Sequence, residues 1–433
     1  MSGPAVDRRR FLAALTAVPA LAAVLQACSD DLEPSGDGSG HSGTAGGELR
    51  SETARTAAGP TLAAPLATAI EAFGIDLYRR LAAAAPADNL VVSPTSIALA
   101  LAMAAAGAAG TTLDEMLATL HAVELDLHAS ANALDTALAA RNGDQVTLSL
   151  AQATWLQDRM TVMPAFLDTL AADYGSGVRT VDFEADPDAA RTEVNEWVDD
   201  RTEGRIPELL APGTVDELTR FVLVNAVYLK ALWADPFDPS ITRDAPFTTA
   251  GGDTADVPTM VKQTEFAYAS GDGWQAVELP YAGDELAMLL FLPETDFLPT
   301  FEEIFLVTDA TQYLEPRLVR LFLPRWDTSA SFDLADQLSA LGMPTAFTDA
   351  ADFTGITTDE PLQIGAVIHQ ANITVGEDGT EAAAATAVVG VAGSAAPTDE
   401  PIELVFDRPF VFVLRDRPTG AVLFVGRVAD PRG

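Results

Sequence analysis

Cysteine, histidine and lysine are all scarce in this chain of 433 residues: Cys28 is alone, His41, His121, His128 and His369 are the only histidines, and Lys230 and Lys262 the only lysines. A single cysteine excludes an intramolecular disulfide, so stability must come from packing. Few histidines leave few general bases, and His41 lies in a Gly/Ser-rich stretch. His121 and His128 are seven apart with no His-Glu-x-x-His arrangement, so no zinc motif forms and both read as residues of solvated faces. There is no Gly-x-Ser-x-Gly elbow; Ser394 in "VAGSAAP" lacks the strand before and the helix after that such a nucleophile needs. "GDGSG" precedes no helix, so a phosphate cradle is unsupported. No metal and no cofactor is expected. Positive charge is also short: 25 basic against 63 acidic residues give a net charge of −38. That surface repels phosphate backbones and makes nucleic acid an improbable partner. What remains is a chain built to be acted upon.

A hydrophobic fraction of 48% supplies a large core. The start "DRRRFLAALTAVPALAAVLQACSD" sets Arg8, Arg9 and Arg10 before an apolar run, Phe11 to Leu25, too short and proline-interrupted to span a bilayer comfortably. It resembles a twin-arginine export signal over residues 1–27, ending in a lipobox-like Leu25-Gln26-Ala27-Cys28. Cys28 is then the expected lipidation site and mature N-terminus, which places the protein in the cell envelope and limits membrane contact to the anchor. Secretion after cleavage near Ala27 is the alternative. Residues 28–65, rich in Gly, Ser, Thr and Ala, read as a flexible tether. Residues 66–433 show no second break and read as one domain.

Within it, "LATAIEAFGIDLYRRLAAA" and "PDAARTEVNEWVDDRTEGRI" have helical periodicity, the latter closed by Gly204. "TSIALALAMAAAGAAGTTLDEML" is apolar on nearly every face, as in a buried helix. "FVLVNAVYLKALW", "WQAVELPY", "ELAMLLFLP", "PLQIGAVIHQANITV", "IELVFDRPFVFVLRD" and "GAVLFVGRVADP" read as buried strands. The fold class is α+β, with helices early and sheet late.

The stretch "EDGTEAAAATAVVGVAGSAAP", Glu377 to Pro397, carries almost nothing larger than valine after its acidic opening. At period two, Thr380, Ala382, Ala384 and Thr386 share one face, and Glu381, Ala383, Ala385 and Ala387 the other. One parity has neither charge nor bulk, so the segment can slide between strands at little desolvation or repacking cost. Alone it could equally be an Ala-rich surface helix or linker.

Its surroundings decide between these. "ITVGEDGTEAAAATAVV" followed by "FDRPFVFVLRDRPTGAVLFVGRVADP" resembles the hinge and terminal signature of the serpin family. "NLVVSPTSIALALAMAAAGAAGTTLDEM", "WVDDRTEGRIPELL", "LVNAVYLKALWADPF", "VELPYAGDELAMLLFLP" and "LFLPRWD" match further family segments in the right order.

The resemblance implies a large central, mostly antiparallel sheet with additional sheets, eight to nine helices, and an exposed reactive loop over about residues 377–404. It implies no catalysis by the chain itself, but a monomeric suicide-substrate inhibitor whose partner is a serine protease. The implied hinge is Glu377, Gly379, Thr380, Glu381, Ala382, Ala383, Ala384, Ala385 and Thr386. The implied breach is Trp233, Arg325 and Glu377, and the implied shutter Ser93, Ser96, Asn225 and His369. The family spacing puts the reactive bond at Gly393-Ser394; the loop is longer than is common, so bonds after Val391, Ala392, Ala395 and Ala396 stay open. All these residues are small and uncharged, which points to elastase-like or subtilisin-like targets. No heparin-like polysaccharide is expected, because "HASANALDTALAARNGDQ" offers only Arg141. A non-inhibitory binding protein of the same fold, or an inhibitor of a cysteine protease, are the competing readings.

Overall fold

The computed structural model describes residues 47–305, 307–381 and 400–433. The signal-like start, Cys28, the hinge residues Ala382, Ala383, Ala384, Ala385 and Thr386, and the candidate bonds at Val391, Ala392, Gly393, Ser394, Ala395 and Ala396 lie outside the described residues.

Among those described, two sheets organise the fold. The central sheet runs, across its strands, Gly47–Leu49, Val178–Val181, Val146–Gln157, Phe221–Leu232, Ala366–Val375 and Trp326–Asp333, with the two-residue strand Gly379–Thr380 between the Phe221 and Ala366 strands at one end. Phe221–Leu232 is an almost unbroken apolar run because both its faces are covered. Leu223, Val227, Leu229 and Ala231 enter the main core. Val222, Val224 and Ala226 form a second cluster with Val194 and Val198, which belong to the helix Pro187–Arg201. The second sheet continues from Ile402–Val405 through Glu315–Pro324, Thr254–Gly271, Trp274–Pro280, Leu286–Pro293, Phe410–Asp416 and Val422–Val428 to Leu90–Val92.

The helix Pro94–Ala105 is buried along its whole length, as its all-round apolar sequence demands. Ser93 caps it, accepting from the Ser96 N–H, and Pro94 occupies the first helical position. The longer helix expected over residues 95–117 is instead two helices, Pro94–Ala105 and Gly110–Thr119. The chain bends at Gly107, where a Cβ would lie 2.1 Å from Ile356 Cγ1 and where the carbonyl accepts from the Gly355 N–H.

The tether is also shorter than its composition suggested. Gly47–Leu49 adds an edge strand to the central sheet, pairing antiparallel with Val178–Val181. Beyond it, the Thr56 N–H donates to the Ala172 carbonyl, and Arg55 binds Asn132 Oδ1 at 2.9 Å and Asp135 at 2.6 Å. Backbone pairing needs no apolar pattern, so a Gly/Ser/Thr-rich composition does not forbid it.

Candidate functional site

The expected hinge begins inside the central sheet. The Gly376 N–H donates to the Gly379 carbonyl at 3.0 Å, turning the chain after Val375 so that Gly379–Thr380 runs back antiparallel to the strand it has just left. The same two residues pair antiparallel with Leu232 and Ala231. Gly379 is required there: its φ is +148°, and a Cβ would meet the Ala231 carbonyl oxygen at 2.0 Å. Thr380 is buried, its hydroxyl 2.6 Å from that of Tyr281, which stacks on Trp233 with centroids 4.4 Å apart. Thr380 and Glu381 are both buried, and the rest of the alternation read from the sequence lies outside the described residues.

Glu381 is the last residue before the chain leaves the described region, and its φ of +51° is unusual for a side chain larger than asparagine. Its carboxylate is nearly buried, with Arg205 Nε 3.3 Å from Oε2, a distance that brings the charges together without an aligned hydrogen bond. Burial raises its pKa, and Arg205 only partly offsets that.

Below the hinge the sheet is closed. Ala366 to Ala371 pair in parallel with Val222 to Val227, and this register sets His369 directly opposite Asn225. All four expected shutter residues meet here, and all are fully buried. The Ser93 N–H donates to His369 Nε2 at 3.1 Å, which assigns the ring proton to Nδ1. Nδ1 then donates to Asn225 Oδ1 at 2.6 Å, and Asn225 Nδ2 to Ser96 Oγ at 2.5 Å. Burial drives the His369 pKa down to about 3, so the ring is neutral at physiological pH. The cluster ties the two strands to each other and to the helix beneath them.

The breach lies at the hinge end. The Trp233 N–H donates to the Asp378 carbonyl at 2.8 Å, and its indole N–H to the Gly376 carbonyl at 2.9 Å. Glu377 accepts from Arg325 and, at 2.6 Å, from the Thr242 hydroxyl. Burial alone would raise the Glu377 pKa, but these donors hold it below the ordinary carboxylate range. Arg325 is half-exposed, so the pair contributes modestly.

Sequence reasoning missed three participants, Tyr281, Thr242 and Arg205. Each reaches the hinge from a distant part of the chain, Tyr281 from 99 residues away; Tyr281 and Arg205 lie in family-like segments, but nothing local marks them as hinge contacts. His121 is exposed and paired with Asp76 at 3.0 Å. His128 departs from its solvated reading: it packs half-buried on the Tyr174 hydroxyl at 2.9 Å, and burial lowers its pKa. Arg141 is engaged by Asp416 at 2.6 Å and Glu285 at 2.7 Å. Among the described residues no group of His, Cys, Asp or Glu is placed to hold a metal ion.

Residues 68–431 match the family model described as serpin, serine protease inhibitor. The bovine (Bos taurus) leukocyte elastase inhibitor is 35% identical over 84% of this chain and 99% of its own. An uncharacterized serpin-like protein of Thermococcus kodakarensis is 37% identical over 85% of this chain and 86% of its own. The crystal structure of uncleaved ovalbumin superposes with a TM-score of 0.77 at 28% identity, covering 86% of this chain and all of that one. The chain belongs to the serpin family of protease inhibitors.

Proposed function

We propose that the protein is an inhibitory serpin that traps a serine endopeptidase as a covalent acyl-enzyme by inserting its cleaved reactive loop into the central sheet. The observation that carries this reading is the seam: Gly379–Thr380 already makes the first antiparallel pairs between two strands whose remaining contact, Ala366–Ala371 on Val222–Val227, is parallel. Continuing the hinge into that seam replaces one parallel ladder with two antiparallel ones, a change in the favourable direction.

The chemistry is supplied by the target. Its serine oxygen attacks the scissile carbonyl, the peptide bond breaks, and the new amine leaves with a proton on the C-terminal fragment that begins before the strand Ile402–Val405. The ester stays on the N-terminal arm. As that arm inserts from Thr380 onward, some 14 residues at about 3.3 Å each carry the attached protease about 45 Å, and distortion of its oxyanion hole stops hydrolysis of the ester. Small residues from Ala382 to Val389 keep insertion fast, because their inward parity has little to desolvate or repack.

The uncharged segment from Val391 to Ala396 favours proteases with narrow apolar pockets, elastase-like or subtilisin-like, and the relative named as a leukocyte elastase inhibitor supports the first of these. Incubation with a pancreatic-type elastase and a subtilisin is expected to give a complex stable on denaturing gels and a released peptide beginning between Ala392 and Pro397. Cleavage with no complex at any ratio would make the protein a non-inhibitory member of the fold, and trapping of cysteine proteases alone would move its target class.

The arginine-led start and Cys28 support export to the cell envelope with a lipid on Cys28. A diacylglycerol mass on the N-terminal peptide tests this; an unmodified Cys28 retained in the secreted chain would refute it.

A further inference from the structure

A partly enclosed cavity of about 270 Å³ opens at the outer edge of the central sheet, lined by Glu48 and Arg50 at the N-terminal edge strand, by Gln152 and Arg179, and by Trp197 and Arg201 of the helix Pro187–Arg201. In a chain with 63 acidic residues against 25 basic ones, three guanidinium groups converging on one cavity is a local reversal of charge.

The donors there are also unspent. The indole N–H of Trp197 and the side-chain amide nitrogen of Gln152 are buried without a hydrogen-bond partner. Arg179, only a quarter exposed, makes no side-chain hydrogen bond among the described residues; Glu48 lies 3.8 Å away, beyond hydrogen-bond reach, and Glu193 acts on it only through space. Its guanidinium is held between the rings of Trp155 and Trp197, at 5.5 and 5.1 Å from their centroids. Burial lowers its pKa, Glu48 and Glu193 offset this in part, and the positive charge of Arg201 acts with burial. Arg201 itself lies 5.5 Å from the Trp197 ring centroid. Asp135, also at the rim, is taken by Arg55 at 2.6 Å. Arg50 donates to the Gly175 carbonyl at 2.7 Å through one nitrogen and keeps its others.

Buried donors left unpaired cost free energy, and an oxyanion accepts from several at once with charge assistance. We propose that this cavity binds a small oxyanion of the carboxylate or phosphate class, held by the Arg179 guanidinium with Trp197 Nε1 and Gln152 Nε2 as neutral donors and Arg201 closing the open side. The volume restricts the occupant to a small molecule or a single anionic head group, and the aromatic walls fix the guanidinium so that little side-chain entropy is lost on binding.

The test needs no protease. Inorganic phosphate and citrate are titrated separately into the purified chain at constant ionic strength, following tryptophan fluorescence and the thermal midpoint. A saturable fluorescence change with a parallel rise in midpoint is expected from at least one of the two, and which one responds identifies the head group. Arg179→Gln should weaken that binding about tenfold or more, as loss of a charge-assisted contact does. Trp197→Phe keeps an aromatic face while removing the N–H with the pyrrole part of the indole, so, followed by the thermal midpoint, it should weaken binding less while leaving the fold intact. Arg320→Gln, at an exposed arginine far from the cavity, should leave it unchanged. Absence of saturation with both anions, or equal responses in the wild type, Arg179→Gln and Trp197→Phe, would overturn the proposal. Neither result bears on whether the reactive loop traps a protease.

Discussion

His369 donates through Nδ1 to Asn225 Oδ1 at 2.6 Å across the parallel pair that the proposed loop insertion would part. The hydrogen bond is buried, linked to Ser96 on one side and to the Ser93 backbone on the other. It closes the seam without filling it. A polar latch of this kind can reopen against two incoming antiparallel ladders, whereas an interlocked apolar core would have to be dismantled.

Asn225→Ala therefore leaves His369 Nδ1–H and the Ser96 hydroxyl unpaired in a dry seam. The expected cost to the native state is about 1–3 kcal/mol. It should appear as a lowered thermal midpoint and as faster spontaneous loss of the active form on warming, followed by residual inhibition. An unchanged midpoint would mean that the latch contributes nothing.

The same cluster predicts acid sensitivity. The folded His369 pKa is about 3 and the unfolded value is ordinary, near 6.5, so above about pH 6.5 neither state binds the proton and the latch is neutral. As pH falls from there towards 3 only the unfolded ring charges, and native stability is lost progressively. His128, lowered by burial, acts in the same direction, while Glu381, raised by burial, acts oppositely. Thermal midpoints between pH 7.5 and 5 should fall with pH in the wild type and less steeply in His369→Gln. Equal slopes would remove His369 from the account.

Thr380 tests the loop itself. Its side chain is buried against the Tyr281 hydroxyl, and in the proposed mechanism it is the first inward residue of the inserting arm. Thr380→Arg would force a charge into that site, slow insertion, and let hydrolysis win. The variant should be cut as a substrate with no stable complex. Full inhibition by it would contradict the mechanism.

At the breach, charge reversal separates a coupled pair from two independent residues. Glu377→Arg and Arg325→Glu alone should each lower the thermal midpoint, and the double reversal should recover part of the loss. Because Arg325 is half-exposed, the coupling is expected to stay below about 1 kcal/mol. Strictly additive effects would show that the pair does no joint work; Glu377 would then act through Thr242 alone.

The sequence was legible where local pattern and long-range role coincide. The apolar run Phe221–Leu232 read as a buried strand and is one, whereas the reason for Gly379, a carbonyl where its side chain would be, shows only in the fold. The shutter residues could be placed together only through family resemblance, since nothing in Ser93 or His369 alone specifies the other. What composition obscured was set by backbone pairing and by distant partners. Gly47–Leu49 has no apolar signal yet completes the sheet edge, and Arg205, just after the helix Pro187–Arg201, reaches Glu381 where its carbonyl accepts from Asn372 of the Ala366–Val375 strand. The helix ends at Ala105, and two residues on Gly107 leaves the space that Ile356 occupies, a contact no local pattern announces.

The central claim is that the cleaved arm becomes a strand of the central sheet, and thermal unfolding of the intact and loop-cleaved chain tests it most directly. Cleavage between Val391 and Pro397 should raise the midpoint sharply, because the seam from Ala366 to Ala371 exchanges one parallel ladder for two antiparallel ones. An unchanged or lowered midpoint after complete cleavage would mean that the arm stays outside the sheet, and the trapping mechanism would fall with it.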